Sequence, residues 1–271
     1  MSGISLLRNI ARQLGRRSPK VIPSEKRASV AVIFRVESNL PNSSTCSKIL
    51  NFSAGGKHIS LPFDNEEEQS SSPVLECLFI KRAMITKDPW SGNVALPGGK
   101  QDEQDGGDDY ETAVRETREE VGVDLDDSKF LYLGQMDDRK ITGKGKVIKG
   151  FTMVPHVFLQ EPGLQRPKIN IQTEEVAGCR WVDFSVINGN NVCWNDVKRE
   201  NAAGSFLFPS ISLPSTGDVT ETEHLDFILW GLTYAVCSDM LVLGGGECIN
   251  TPQYKVADAL TTGSWYEKQL P

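Results

Sequence analysis

Three glutamates, Glu116, Glu119 and Glu120, occupy positions i, i+3 and i+4 of a segment with helical hydrophobic spacing. On a helix, side chains at this spacing share one face. Like charges at i, i+4 destabilise a helix by roughly 0.2–0.5 kcal/mol per pair, and negative charge in the last turn opposes the helix dipole. Because Mg²⁺ and Mn²⁺ prefer carboxylate and carbonyl oxygens, the stripe predicts a divalent-cation site. The alternative is a solvated acidic face.

The helix that carries these glutamates is predicted from about Asp109 to Val121. Asp108 or Asp109 can cap its N-terminus, and Gly122 stands where a left-handed residue is favoured after a helix. Positions with the i, i+3, i+4, i+7 spacing of a core-facing side are Tyr110, Ala113, Val114, Thr117 and Val121.

The surrounding residues make this segment resemble the Nudix box, whose pattern is G-x5-E-x7-R-E-U-x-E-E-x-G-U. Residues 115–123 fit the second half at every specified position except Thr117, where an aliphatic residue is usual. Counted from Gly99, the acidic position of the first half falls on Asp105, and nine residues rather than seven separate it from Arg115. Residues 106–108 therefore look like a short insertion ahead of the helix.

The block at residues 88–99 is similar to Nudix proteins of the coenzyme A pyrophosphatase-like group, with Leu96 where phenylalanine is usual. The whole resemblance covers roughly residues 74–184. It implies an α/β fold, a Nudix-like α/β/α sandwich with a mixed β-sheet. The alternation of strands with an isolated helix independently favours an α/β domain with a mixed sheet.

The resemblance also implies roles for individual residues. The side chains of Glu116, Glu119 and Glu120 and the backbone carbonyl of Gly98 would bind Mg²⁺ or Mn²⁺, and Arg115 would hold a glutamate in orientation. The predicted catalytic residues are thus Glu116, Glu119 and Arg115. The general base is either Glu116 or a residue of a later loop, for which the candidates are Glu174 and Glu175. Arg82 and Lys100 are the predicted substrate-binding residues; the alternative for both is a surface charge.

The resemblance implies a metal-dependent pyrophosphohydrolase that cleaves a nucleoside diphosphate linked to another moiety, with coenzyme A or acyl-coenzyme A as the lead substrate. The box determines the chemistry but not the leaving group, so dinucleoside polyphosphates and nucleotide sugars stay open as substrates. A catalytically silent nucleotide-binding module is a third alternative. The expected partner is a small nucleotide-like molecule, and a homodimer is left open.

The overall composition excludes other classes of function. The net charge of −7 argues against a nucleic-acid-binding protein, which needs a basic face. The longest apolar run, residues 227–237, is too short to span a bilayer, so no membrane association is expected. Six cysteines without a C-x-x-C pair indicate free thiols in a reducing compartment.

The chain divides into three predicted parts. Residues 1–24 contain arginines but no acidic residue and show helical apolar spacing, which resembles a mitochondrial transit peptide. A surface helix or flexible tail is the alternative, so the expected location is mitochondrial or cytoplasmic. Residues 25–247 are the predicted catalytic domain, with a polar loop at about 37–73, and residues 248–271 are a predicted C-terminal tail.

The predicted secondary structure of the domain is five strands and two helices. The strands are expected at residues 28–36, 74–82, 130–133, 149–159 and 179–184, and the second helix at 223–243, ended by three glycines.

Overall fold

A computed structural model of the protein describes residues 1–37, 48–54, 57–63, 73–86, 88, 90–141, 150–201, 204–214, 220–221 and 225–249. Three α-helices occur in these ranges: α1 (Gly3–Leu14), α2 (Asp109–Val121) and α3 (Gly231–Leu243). The strands are β1 (Arg27–Glu37), β2 (Lys48–Ala54), β3 (Lys57–Phe63), β4 (Val74–Arg82), β5 (Val94–Ala95), β6 (Gly98–Lys100), β7 (Phe130–Gln135), β8 (Arg139–Ile141), β9 (Phe151–Gln160), β10 (Val176–Asp183), β11 (Cys193–Asn201), β12 (Gly204–Ser212), β13 (Thr220–Glu221) and β14 (Ile228–Trp230).

The main sheet has the strand order β13-β10-β4-β1-β9-β7, and β5, β6 and β8 pair with its members. The central strands β1 and β9 run parallel, whereas the other pairs are antiparallel. The sheet is therefore mixed, as predicted.

Alternating side chains of β1 supply the cores on both faces of this sheet. Val32 and Phe34 pack with apolar residues of α1 and α3, whereas Ala31 and Ile33 pack with Val114 and other residues of α2. Because successive strand residues point to opposite faces, β1 is apolar throughout its centre. Helices cover both faces, and the predicted α/β/α sandwich is confirmed.

Helix α1 packs on the core of this domain. Its apolar side chains at positions 4, 7, 10 and 14 are at most 6% exposed. The Asn9 side chain donates a hydrogen bond to the carbonyl of Gly244 at 3.0 Å, and Arg17 pairs with Asp137 at 3.1 Å. Residues 3–14 thus contribute to the same core as residues 25–247, while the cellular location stays a prediction.

The predicted strands 28–36 and 74–82 correspond to β1 and β4, and the predicted helix 109–121 coincides with α2. The predicted loop at 37–73 is wrong in part, because β2 and β3 form an antiparallel hairpin inside it. The predicted start of the last helix is also wrong: residues 228–230 form β14, which pairs with β12, and the helix begins at Gly231. The tail at 248–271 lies almost wholly outside the described residues.

None of the helices in the described ranges is long and apolar enough to cross a membrane.

Candidate active site

Helix α2 places the three glutamates, and its ends are fixed by local hydrogen bonds. The Asp108 carboxylate accepts a hydrogen bond from the Tyr110 N–H at 2.8 Å, and Gly122 ends the helix in the left-handed conformation, with φ of 72°. Thr117, the residue that departs from the Nudix pattern, is fully buried, and its hydroxyl donates to the Ala113 carbonyl at 2.7 Å. The threonine therefore fits the core face without leaving its hydroxyl unpaired.

Glu120 points into the interior at the glycine turn that precedes α2. Its side chain is 1% exposed and accepts a hydrogen bond from the Gly98 N–H at 2.8 Å. Arg82 lies 3.9 Å from the other carboxylate oxygen. Burial raises the pKa of Glu120 to about 8, although the Gly98 hydrogen bond and Arg82 oppose this shift. A buried carboxylate with so little compensating charge is a site where an added cation would be stabilising.

Glu116 lies against the same turn, at the next glycine. A Cβ atom on Gly99 would stand 2.4 Å from the Glu116 carboxyl carbon, so only glycine leaves room for this side chain. Burial raises the pKa of Glu116, and Arg115 opposes the shift. The carboxylates of Glu116 and Glu120 therefore converge on the adjacent residues Gly98 and Gly99.

Arg115 connects the helix to the loop that precedes it. Its guanidinium binds both carboxylate oxygens of Asp105, at 2.7 and 2.9 Å, and donates to the carbonyl of Lys100 at 3.1 Å. It also pairs with Glu116 at 3.0 Å and with Glu119 at 2.9 Å. Asp105 is buried, and its hydrogen bonds from Arg115 lower its pKa to about 2. Asp105 thus anchors Arg115 despite the insertion at residues 106–108.

The structure brings Arg82 to the glutamates and places Lys100 beside the glycine turn. Arg82 binds Asp88 at 3.0 Å in addition to its approach to Glu120. The Lys100 side chain is exposed, and only its backbone carbonyl contacts Arg115. Of the two downstream candidates for the base, Glu175 lies close enough that its charge raises the pKa of both Glu116 and Glu120. The substrate-binding and catalytic roles of these residues stay predictions.

The oxygen atoms of Glu116, Glu119, Glu120 and the Gly98 carbonyl are ligands that suit a hard divalent cation, but in this structure they do not surround a single point. In the part of the chain that the structure describes, no three His, Cys, Asp or Glu side chains lie close enough together to hold a metal ion. The Nη1 atom of Arg115 contacts Oε1 of Glu116 and Oε2 of Glu119, so a cation bound by these two oxygens would take the place of that nitrogen. The burial of the Glu120 carboxyl, with Arg82 at 3.9 Å as the only cation among the described residues near enough to favour its ionised form, is the observation that fits an added cation.

Sequence reasoning missed the segment that closes the C-terminal end of α2. The N–H groups of Asn170 and Gln172 donate to the carbonyls of Val121 and Glu120, both at 2.9 Å. These bonds satisfy carbonyls that a helix end leaves without a partner. The segment is irregular and has no hydrophobic period, and therefore it gave no sequence signal.

The fold and the site define an α/β/α sandwich whose acidic helix meets a glycine turn. Residues 59–200, more than half of the chain, match the family model described as the NUDIX domain. The chain belongs to the NUDIX family, and the family predicted from the residues around the three glutamates is confirmed.

A relative of the chain is the uncharacterized protein C14C4.10c of Schizosaccharomyces pombe, with 30% identity over 168 residues. The match covers 60% of this chain and 44% of that protein. The chain therefore spans less than half the length of this curated relative.

Among solved structures, an Ap4A hydrolase binary complex of C. elegans is 16% identical, with a TM-score of 0.35, and the match covers 59% of this chain and 80% of that one. A MutT/nudix family protein from Enterococcus faecalis is 13% identical, with a TM-score of 0.37 and coverage of 84% and 66%. The NUDIX domain of Shewanella oneidensis NrtR, complexed with ADP ribose, is 16% identical, with a TM-score of 0.34 and coverage of 65% and 83%.

Proposed function

We propose that this chain hydrolyses the diphosphate bridge of a nucleoside diphosphate linked to another moiety, and that it uses Mg²⁺ or Mn²⁺. The observation that carries the proposal is the convergence of Glu116 and Glu120 on the Gly98–Gly99 turn, with the charge of Glu175 acting on both. Glu116, Glu119, Glu120 and the Gly98 carbonyl would hold the cation. When bound, it would neutralise phosphate charge and favour ionisation of water.

Residues of the chain have distinct parts in this proposal. Arg115, held by Asp105, orients Glu116 and Glu119 and is a positioning residue. Arg82 would bind a phosphate oxygen, and its position 3.9 Å from Glu120 supports this role. Glu175 or Glu116 accepts the proton of the attacking water. Glu175 is favoured because it is exposed and, among the described residues, makes no ion pair of the kind that ties Glu116 to Arg115.

Coenzyme A and acyl-coenzyme A are the lead substrates, on the similarity of residues 88–99 to the coenzyme A pyrophosphatase-like group. The other candidates from the sequence are dinucleoside polyphosphates and nucleotide sugars. A silent binding module is disfavoured, because all three glutamates of the box are present and two of them converge on one turn.

A substrate screen with matched variants tests this function. Coenzyme A, ADP-ribose, NADH, diadenosine polyphosphates and nucleoside triphosphates are each incubated with Mg²⁺ and with Mn²⁺, and the products are separated by chromatography. We expect cleavage of a diphosphate bridge by the wild-type chain and by Glu111→Gln, whose exposed glutamate lies in the first turn of α2. Glu120→Gln should be inactive. Absence of turnover with every compound, together with tight nucleotide binding, would establish the silent module instead.

A further inference from the structure

Arg82 lies between two carboxylates, one from the candidate site and one from the loop that joins β4 to β5. Its Nη2 atom donates a hydrogen bond to Asp88 at 3.0 Å, whereas its Nη1 atom lies 3.9 Å from Oε1 of Glu120. The second distance is too long for a hydrogen bond. Within the described ranges, Asp88 is therefore the hydrogen-bond partner that holds the Arg82 guanidinium, whose buried Nε atom has none.

Asp88 is itself fixed by the turn in which it lies. Its Oδ1 atom accepts a hydrogen bond from the Trp90 N–H at 3.0 Å, and its own N–H donates to the Ile85 carbonyl at 3.2 Å. The Ser91 hydroxyl accepts a hydrogen bond from the Ile85 N–H at 2.7 Å and connects the start of the turn to its end. The Asp88 carboxylate therefore keeps one orientation, with its Oδ2 atom on Arg82.

Glu120 would attract Arg82 strongly if Asp88 did not hold it. In the part of the chain that the structure describes, these are the two carboxylates within 4.0 Å of the Arg82 guanidinium. The Glu120 side chain is 1% exposed, and opposite charges attract more strongly where water screens them less. Without Asp88, the guanidinium would have no second carboxylate to oppose this attraction. A guanidinium in contact with Glu120 would cover one of its oxygens and add a positive charge where a cation has to bind.

We propose that Asp88 is a positioning residue of the metal site: it holds Arg82 and balances its charge, so that the Glu120 carboxylate stays available to a divalent cation. This inference rests on the proposed function, because it takes Glu120 as a ligand of the cation. It assigns a role in metal binding to the loop at residues 83–93, which precedes the Nudix box and supplies no ligand of its own to the proposed site.

A titration with Mn²⁺, followed by electron paramagnetic resonance, tests the inference without substrate. Asp88→Asn removes the charge but keeps an oxygen for the Trp90 N–H, so the turn should be retained. We expect this variant to bind Mn²⁺ at least about tenfold more weakly than the wild type, since loss of a residue that orients a metal ligand weakens binding by about 10- to 100-fold. Glu161→Gln, which removes an exposed charge directly after β9, should bind Mn²⁺ as the wild type does.

Removal of Arg82 separates this role from a purely structural effect of the turn. Arg82→Gln should bind Mn²⁺ at least as tightly as the wild type, because a positive charge near Glu120 is lost. The double variant Asp88→Asn/Arg82→Gln should bind Mn²⁺ as tightly as Arg82→Gln, because no released guanidinium competes with the cation. If Asp88 acted only by shaping the turn, the double variant would bind Mn²⁺ as weakly as Asp88→Asn. Urea unfolding in EDTA identifies any variant that does not fold.

The outcomes distinguish this inference from the proposed function. Wild-type affinity for Mn²⁺ in folded Asp88→Asn, or equally weak binding by the single and double variants, would overturn the inference and leave the proposed function intact. Weaker binding by Arg82→Gln would overturn it even if Asp88→Asn failed to fold. A wild-type chain that binds Mn²⁺ but cleaves no diphosphate would remove the proposed function, while weakening by Asp88→Asn and its reversal would still establish the role of Asp88. Absence of Mn²⁺ binding by the wild type would overturn both.

Discussion

Replacing Glu120 by glutamine should stabilise the metal-free protein while removing its activity. The carboxylate is 1% exposed, and burial raises its pKa from an ordinary 4.5 to about 8. Between these values the folded chain binds a proton that the unfolded chain has lost, so stability falls as the pH rises from 4.5 to 8. Glutamine is nearly isosteric, retains an oxygen to accept the Gly98 N–H, and does not titrate.

The magnitude follows from the same shift. Between pH 4.5 and pH 7 the free energy of unfolding falls by about 1.4 kcal/mol per pH unit, because only the folded chain keeps the proton on Glu120. At pH 7 the wild-type protein has therefore lost about 3 kcal/mol of stability relative to low pH. Glu120→Gln should therefore gain up to about 3 kcal/mol of unfolding free energy at pH 7 and less than about 1 kcal/mol at pH 5.

Urea unfolding in EDTA, followed by tryptophan fluorescence at pH 5, 7 and 8.5, measures this difference. Glu119→Gln is the control, because its side chain is 54% exposed and its removal should change stability by no more than about 1 kcal/mol. A gain for Glu120→Gln that is the same at pH 5 and pH 8.5 would refute the reasoning, since it would show that ionisation of this carboxylate is not its source.

Three further predictions concern the elements around the site. Leu7→Ala should lower the free energy of unfolding, measured in urea, by about 2–5 kcal/mol, because Leu7 is fully buried in the core. If the loss is no larger than that of Gln13→Ala, whose side chain is exposed, α1 is not part of the core. Gly99→Ala should lower kcat/KM about 100-fold, because its Cβ would displace the Glu116 carboxylate; unchanged kinetics would remove that carboxylate from the mechanism. Asp105→Asn should lower the free energy of unfolding by about 2 kcal/mol at pH 7, because the wild-type carboxylate is stabilised by Arg115. This difference between the two proteins should disappear as the pH falls from 3.8 through about 2, and a difference that persists at pH 2 would exclude the Arg115 ion pair as its cause.

The sequence was most informative where structure is determined locally. Helix α2 has its capping aspartate, its buried side and its closing glycine within one short segment, so its bounds could be read directly. The long apolar runs of β1 and β4 could likewise be recognised, because strands at the centre of a covered sheet are buried on both faces.

Features that depend on distant parts of the chain could not be predicted in this way. An amphipathic, acid-free N-terminal segment is equally suited to a transit peptide and to a packed helix, and the partner that buries α1 includes α3, more than 200 residues away. The orientation of Glu120 depends on the Gly98 N–H, and the approach of Glu175 depends on the pairing of β10 with β4. The anchoring role of Asp105 was obscured because its separation from Arg115 departs from the family pattern.

Binding of Mn²⁺ tests the central claim most directly. Electron paramagnetic resonance distinguishes free from bound Mn²⁺ and needs no substrate. We predict that the wild-type chain and Glu111→Gln bind Mn²⁺ equally, whereas Glu120→Gln binds it at least about tenfold more weakly, because even loss of a residue that only orients a ligand weakens metal binding by about 10- to 100-fold. Equal binding of Mn²⁺ by all three proteins would contradict the assignment of these glutamates as the metal site.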